Sequence, residues 1–565
     1  MKRYLILILL FITISRLEAQ SVSFFSNLGS NLDDRATNIL VGSNGNVYLL
    51  GQSDDTLFVP DSSGNIIAVP PVSQRNFFLT CINSSGQYQW TKMFGYGVID
   101  NSFARFAVNP NGEVVFLICA DDFIKIGTDS IPSFGKCLNV LCKLDDSGNL
   151  LSHEPIFNIL SSGVVESIKT DNNSNIYISG NFRDNLELIS TGMIDSVLSP
   201  LGHSKNAFFI KYNNALSRIY TKQIGSLIYD FDFSGSQECN LLIEVNNGDS
   251  LKIDTALYVP ANFSRQQYLV KLNSNGKNIR CIQVGGIDAI NFKLLNIQHI
   301  QNNFEVLGKL TDTVHIEQQI LTPSIPTAIQ SNHEEMFSVQ FDESTFQLLN
   351  VNTFSSYCET GEQVFLKTEP LGNYKYLAYN YSDSVGYDFV NSQIIWNKNI
   401  AVKCFDNNYT RLWTKGFASS TDDYAQGIVL DATNNAYVLG LFSDTLQIID
   451  SLEITRTGSS SIISNGGVDI FVGKISSVPV ITGIATKEDG ESLQVFPNPT
   501  TNYIKIINSD GCYKLFDMKG SCIKSGELNT MDGAIIGMKD LPEGIYLIQF
   551  LNKEGHIQYA KVMKE

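Results

Sequence analysis

The 565-residue chain is short of positive charge, of histidine and of tryptophan. Its Lys and Arg number 40 against 57 Asp and Glu, a formal net charge of −17. Nucleic acid and anionic membrane both demand a basic surface, so neither is expected as a partner. The six histidines, His153, His203, His299, His315, His333 and His556, form no metal-spaced motif, and HExxH, GxSxG and Walker sequences are missing. His333-Glu334-Glu335, the most polar cluster, reads as a solvated loop. The ten cysteines show neither a dense disulfide framework nor a zinc spacing, and no His accompanies the close pair Cys137 and Cys142. No catalytic residue, metal or cofactor is therefore expected. Long apolar runs are absent after residue 20, so no membrane span is expected once the N-terminal segment is removed. With 17% charged and 43% hydrophobic residues, the chain is not a disordered one.

What is present begins with a targeting segment. Lys2 and Arg3 precede an apolar run, Tyr4 to Ile14, and Leu17-Glu18-Ala19 offers a small residue for cleavage. A signal peptide over 1–19 is expected, cut between Ala19 and Gln20.

The bulk of the chain is a repeat. Asp422–Ser477 holds an alternating strand, an Asx-rich turn, a second strand ending in Gly, a DT turn, a loop, and a third strand DIFVGK. Versions recur at 33–95, 101–157, 163–225, 228–286, 288–356 and 359–419. Each has four short strands joined by Asn-Gly, Ser-Gly or Asn-Asn turns, the size of one propeller blade. The seventh unit stops after its third strand. Ser21–Gly29, VSFFSNLG at its centre, resembles the fourth strand YQWTKMFG of the first unit and is expected to supply the missing strand. Cys81 and Cys404 occupy a position held by Lys in other units, so they do not read as metal ligands. Asp431, Asn434 and Asn435, and Asp171, Asn173 and Asn175, read as hairpin turns because a calcium loop's Gly and distal Glu are missing. The units are similar to bacterial β-propeller repeats of the pattern GNVYVTGxF … DIFVAKLDxxGNxLWxKxFGG. That resemblance implies an all-β, seven-bladed propeller over 20–477 in an extracytoplasmic setting, and no chemistry.

Most units carry Asp-Ser or Asp-Thr after the second strand: Asp55-Thr56, Asp129-Ser130, Asp195-Ser196, Asp249-Ser250, Asp254-Thr255, Asp312-Thr313, Asp383-Ser384, Asp444-Thr445 and Asp450-Ser451. They read as Asx turns. They also resemble the O-glycosylation sequon of exported Bacteroidota proteins, which makes Thr56, Ser130, Ser196, Ser250, Thr255, Thr313, Ser384, Thr445 and Ser451 candidate acceptors.

Composition changes after Ser477. A linker over 478–491 leads to VFPNPT (Val495–Thr500), LFDMKG (Leu515–Gly520), LPEGIY (Leu541–Tyr546) and a Lys-rich last strand. Phe496, Pro497, Asn498, Pro499, Gly520, Gly544 and Tyr546 carry the pattern. Residues 492–565 resemble the type A C-terminal sorting domain of the type IX secretion system. The strands read as a small Ig-like β-sandwich. The resemblance implies the type IX machinery as partner, export to the outer surface, removal of the domain, and release or attachment to lipopolysaccharide. A turn centred on Met518-Lys519 sets Cys522 opposite Leu515, which disfavours a Cys512–Cys522 disulfide. Two function classes remain: a non-catalytic binding or scaffold propeller with a glycan or protein ligand, and a glycan- or peptide-active enzyme at the channel. Repeat-equivalent acids favour the first, and the diverged fourth and fifth units are the expected place for any site.

Overall fold

The computed structural model describes residues 22–61, 63, 65–96, 103–120, 123–126, 129–132, 137–159, 163–201, 206–234, 237–246, 249–259, 266–284, 292–310, 314–316, 319–321, 333–359, 364–370, 372–388, 393–449, 461–476, 495–506, 510–516, 522–529, 534–552 and 557–564. These residues contain strands and turns but no helix, hence none long and apolar enough to cross a membrane. Residues 19–479 form one compact unit, and 480–565 lie in a second.

In the first unit, antiparallel strands associate four at a time in chain order. Sheet one is Arg35–Val41, Val47–Gln52, Arg75–Ile82 and Tyr88–Tyr96. Sheets two to six repeat that order from Phe103–Val108, Val164–Thr170, Leu227–Phe233, Phe292–Ile300 and Val364–Thr368. Sheet seven takes Tyr424–Leu430, Ala436–Phe442 and Asp469–Ile475 from the end of the unit and Val22–Leu28 from its beginning. Phe25 lies opposite Gly473 and Leu28 opposite Ile470. Each first strand meets the first strand of the next sheet, and Tyr424–Leu430 meets Arg35–Val41.

The second and third strands are buried on both faces, as in Val47–Gln52 and Asn206–Tyr212, because each sheet has a sheet packed on either side. They are mostly apolar, with buried polar exceptions such as Asn206, Asn240 and Glu305, rather than the alternating strands expected from sequence. Tyr48, Tyr177, Tyr376 and Tyr437 hold one equivalent position and are fully buried; each contributes about 2 kcal/mol.

Two devices join neighbouring sheets. The third-strand lysines reach a carbonyl in a turn of the following sheet: Lys143 to Asn214, Lys211 to Ser274, Lys271 to Glu343 and Lys474 to Ser84, at 2.8–3.2 Å. In sheet one, Cys81 stands in place of Lys and Trp90 Nε1 donates to the Asp146 carbonyl instead, at 2.9 Å. The second device is bulk. Turns between third and fourth strands place one residue at positive φ: Gly86, Gly148, Leu216, Gly276, Phe346 and Tyr409. Where it is Gly, an aromatic of the preceding sheet's fourth strand lies over it (Phe24, Trp90 and Tyr220 respectively). Where it is large, the register position of that aromatic holds Ser152, Arg280 or Asn350.

The stretch between second and third strands, expected as a loop, is a hairpin in most sheets. Phe123–Ile126 pairs with Tyr88–Tyr96 of sheet one, Leu186–Ser190 with Leu150–Ile159 of sheet two, and Thr445–Ile449 with Arg411–Ala418 of sheet six. Gly29 and Phe58 exchange backbone hydrogen bonds where sheet seven meets the first hairpin. The free edge of an outer strand is thereby covered by its successor. In sheet six the second and third strands simply run on, as Tyr374–Asp388 and Gln393–Asp406.

The C-terminal unit has a three-stranded sheet (Val495–Phe496, Tyr503–Ile506, Ala534–Gly537) and a four-stranded one (Cys522–Asn529, Asp510–Phe516, Gly544–Asn552, Ile557–Lys564). Ile504, Ile506, Leu515, Leu528, Ile536, Ile548 and Phe550 form its core.

Candidate functional site

The repeat breaks most sharply at the junction of sheets five and six. Glu305 occupies the Tyr48 position and Lys375 the Val47 position of its neighbour. Both are fully buried, with Lys375 Nζ 2.8 Å from Glu305 Oε1. The Tyr409 hydroxyl donates to Oε1 at 2.7 Å and the Thr368 hydroxyl to Oε2 at 2.6 Å. Tyr409 also bonds Ser338, and burial, with the Glu305 charge beside it, holds its phenol well above the usual range. The carboxylate is fully engaged, so it anchors structure and is not a free base.

Beside this pair lies a cleft of about 320 Å³ whose lining includes Gln301, Asn303, Gln340, Asn350, Asn407 and Asn408. Each amide offers both a donor and an acceptor, the complement of a hydroxyl-bearing ligand. Asn350, Asn407 and Asn408 are exposed and can meet a ligand without rearrangement. The cleft lies between turns of the fifth and sixth units, and the fifth is one of the two diverged units. The signal was legible as Glu in NFEVLG where four of the other units have Tyr, the second has Val115 and the fourth Asn240.

Other polar residues have structural duties. Asp431 accepts the Thr433 and Asn435 amides, and Asp171 those of Asn173 and Asn175, closing hairpin turns. Burial opposes ionisation of Asp431, but the Asn435 and Thr433 hydrogen bonds prevail and hold its carboxyl below the usual range. His333–Asp342 is a strand, so His333-Glu334-Glu335 is not the loop expected: it pairs with Leu348–Glu359 at the far end of a long hairpin. Cys81 and Cys404 are buried thiols pushed up to about 12, while Cys119 is disulfide-bonded.

The Asp-Ser and Asp-Thr tripeptides are not uniformly turns. Ser130 and Ser196 lie within edge strands Asp129–Pro132 and Met193–Leu198 and are exposed. Ser384 lies within Tyr374–Asp388. Thr255 is exposed in the turn between Leu251–Ile253 and Ala256–Tyr258, where Asp254 has φ 54°. Thr56, Ser250 and Thr445 are half-buried. Ser130, Ser196 and Thr445 lie on strands because their hairpins pair with the preceding sheet, whereas Thr56, Ser250 and Thr255 lie outside the strands. Ala19, Gln20, Thr313, Ser451, Gly520 and the 478–491 linker lie outside the described residues.

In the C-terminal unit, Phe496, Pro497, Asn498 and Pro499 are exposed. The Asn498 side chain acts as a strand mimic, donating to the Lys561 carbonyl at 2.6 Å and accepting the Met563 amide at 2.8 Å. Gly544 has φ +153°, which L side chains rarely adopt, and the Tyr546 hydroxyl donates to the Pro542 carbonyl at 2.7 Å. Cys522 faces Phe516, not Leu515, because a bulge at Leu515/Phe516 shifts the register; Cys512 faces Glu527 and is free.

Residues 494–565 match the family model of the secretion system C-terminal sorting domain. This sorting tail directs a chain to the type IX machinery, and so to secretion and export to the cell surface. No curated protein matches the sequence. Among solved structures, the Dos1 propeller is similar at 11% identity and TM-score 0.33, covering 83% of this chain and 94% of that one. The β-propeller domain of the Trilobed protease from Pyrococcus furiosus is 10% identical with TM-score 0.37, covering 72% and 92%. A mutant Synechocystis apocarotenoid oxygenase is 10% identical with TM-score 0.33, covering 80% and 95%.

Proposed function

We propose that this is an exported, surface-attached or secreted Bacteroidota protein whose body is a non-catalytic binding or scaffold module. In this reading residues 1–19 are a signal peptide and 20–477 a seven-bladed propeller closed by the N-terminal strand. A linker spans 478–491, and 492–565 form an Ig-like sandwich that serves as the sorting domain. The sorting-tail match at 494–565 carries the export half of the reading. The cyclic contacts of the first strands and the pairing of Val22–Leu28 with Asp469–Ile475 support the closed ring. The ligand is a neutral glycan or a polar protein segment taken by the amide-lined cleft between sheets five and six. Thr56, Ser130, Ser196, Ser250, Thr255, Thr313, Ser384, Thr445 and Ser451 are the proposed O-glycan acceptors, and lipopolysaccharide the attachment once the tail is removed.

The cleft is tested by screening the full chain against neutral oligosaccharides and repeating with Asn350→Ala and Asn407→Ala. Binding that falls at least tenfold in both variants supports the reading. Unchanged binding in both, or none to any neutral glycan, removes the glycan-binding cleft from it.

A further inference from the structure

The third-strand residue opposite the Tyr48 position is Lys143, Lys211, Lys271 and Lys474 in sheets two, three, four and seven. Each ammonium bonds the carbonyl of the second residue in the next sheet's turn between third and fourth strands. A carboxylate of the lysine's own sheet stands beside it in three cases: Glu113 is 3.4 Å from Lys143, Glu238 2.7 Å from Lys271 and Asp431 3.6 Å from Lys474. The two cysteines at this position have their reasons. Sheet one has Cys81, and Trp90 reaches the Asp146 carbonyl instead. Sheet six has Cys404, and sheet seven offers it no such turn, because its fourth strand comes from the other end of the unit.

Sheet five breaks the rule. Its residue here is Gln340, whose amide ends one atom short of a lysine ammonium. The acceptor is still in place: Asn407 is the second residue of the turn Asp406–Thr410 in sheet six, as Asn214 is of Asn213–Ser217 in sheet three. Among the described residues, neither the Gln340 side chain nor Asn407 makes a hydrogen bond. The carboxylate is missing as well. Asn303, two residues before Glu305, stands where sheets two and four have Glu113 and Glu238, two residues before Val115 and Asn240. Both charged partners of the clamp have thus become amides, and the gap between the sheets is neutral. Lys375 does not fill it, since it comes from sheet six and lies 2.8 Å from Glu305. The cleft of about 320 Å³ opens here, with Asn303, Gln340 and Asn407 all in its lining.

We propose that the cleft is this vacated lysine position, that a ligand hydroxyl replaces the ammonium on the Asn407 carbonyl, and that Gln340 and Asn303 set the specificity. The inference rests on the reading of the cleft as a glycan site. A hydroxyl donates to the Asn407 carbonyl while accepting from the Gln340 or Asn303 amide, and it brings no charge. An amino sugar or a lysine side chain would bring an ammonium where the clamp carboxylate is gone. Glu305 cannot stand in, because it is already bonded to Lys375, Tyr409 and Thr368. The ammonium's desolvation would go uncompensated. The occupant is therefore an uncharged sugar and not a basic peptide.

The test uses the full chain as wild type, Asn303→Glu, and Asn303→Glu with Gln340→Lys. Each is measured for thermal unfolding and for binding to the neutral oligosaccharides of the screen above, cellotriose and mannotriose among them, and to the glucosamine trimer and trilysine. Wild type is expected to prefer the neutral sugars. Asn303→Glu returns a carboxylate without its lysine and should shift preference to the glucosamine trimer. The double variant rebuilds the clamp, so it should melt higher than wild type and bind neutral sugar about tenfold more weakly or worse. A double variant that keeps wild-type affinity, or melts no higher, overturns the proposal. So does a wild type that prefers the glucosamine trimer, or trilysine, which would assign a basic peptide. Should the double variant not fold, Asn303→Glu decides alone, and an unchanged preference overturns the proposal. Sugar binding that falls in Asn350→Ala and Asn407→Ala but survives in the double variant removes this inference and leaves the cleft. No binding to any neutral sugar in wild type removes both.

Discussion

Single positions show how the sheets are matched to one another. Gly148 has φ +77°, and a Cβ there would lie 2.7 Å from the Trp90 ring. Gly148→Leu is therefore expected to destabilise by about 2 kcal/mol or more, from the left-handed backbone and the clash. Ser152 and Leu216 provide the inverse solution one junction on, so adding Trp90→Ser to Gly148→Leu should recover part of the loss. Chemical denaturation of the three variants gives the coupling, and strict additivity would contradict the account. The Glu305–Lys375 pair makes the second case. Lys375→Met leaves a buried carboxylate without its cation and should cost about 3–5 kcal/mol, whereas Glu305→Leu with Lys375→Met should cost less. A double variant as unstable as Lys375→Met would show that the pair is not the unit. The Lys/Cys alternation at the Cys81 position was legible in the sequence. Its purpose was not, because the acceptor is a turn carbonyl some 60–70 residues downstream.

Among elements, the seam between Val22–Leu28 and Asp469–Ile475 is the most exposed to pH. Asp469 and Asp34 are both fully buried there, and Asp34 Oδ1 and Asp469 Oδ1 lack partners. Burial raises both carboxyls, Asp469 to about 7, with Asp34 adding to the effect. A carboxyl raised in the folded state holds its proton more tightly than in the unfolded chain. Its contribution is full below the unfolded value near 4 and is lost as pH rises through about 7. The melting temperature of wild type should therefore fall relative to Asp469→Asn between pH 5 and 8. Parallel profiles would mean that the carboxyl is not coupled to folding. The closing strand itself was readable, because VSFFSNLG repeats the pattern of a fourth strand. The latching hairpins were not: FIKI and LELIS are too short and half-exposed to stand out, and their Asp-Ser pairs imitate turn chemistry.

For the whole molecule, a body with polar repeat breaks at one junction is joined to a tail that is an address. The tail was legible because its motifs are set by backbone demands: Asn498 must bridge to the last strand and Gly544 must take its positive φ. The cleft was only half legible, since divergence located the unit while the lining came from turns of two sheets. The measurement that bears most directly on the account is intact mass with cell fractionation in the organism that makes the protein. An outer-surface or secreted species lacking 494–565, and heavier than its peptide mass, is the predicted result. A full-length, unmodified periplasmic protein would contradict it.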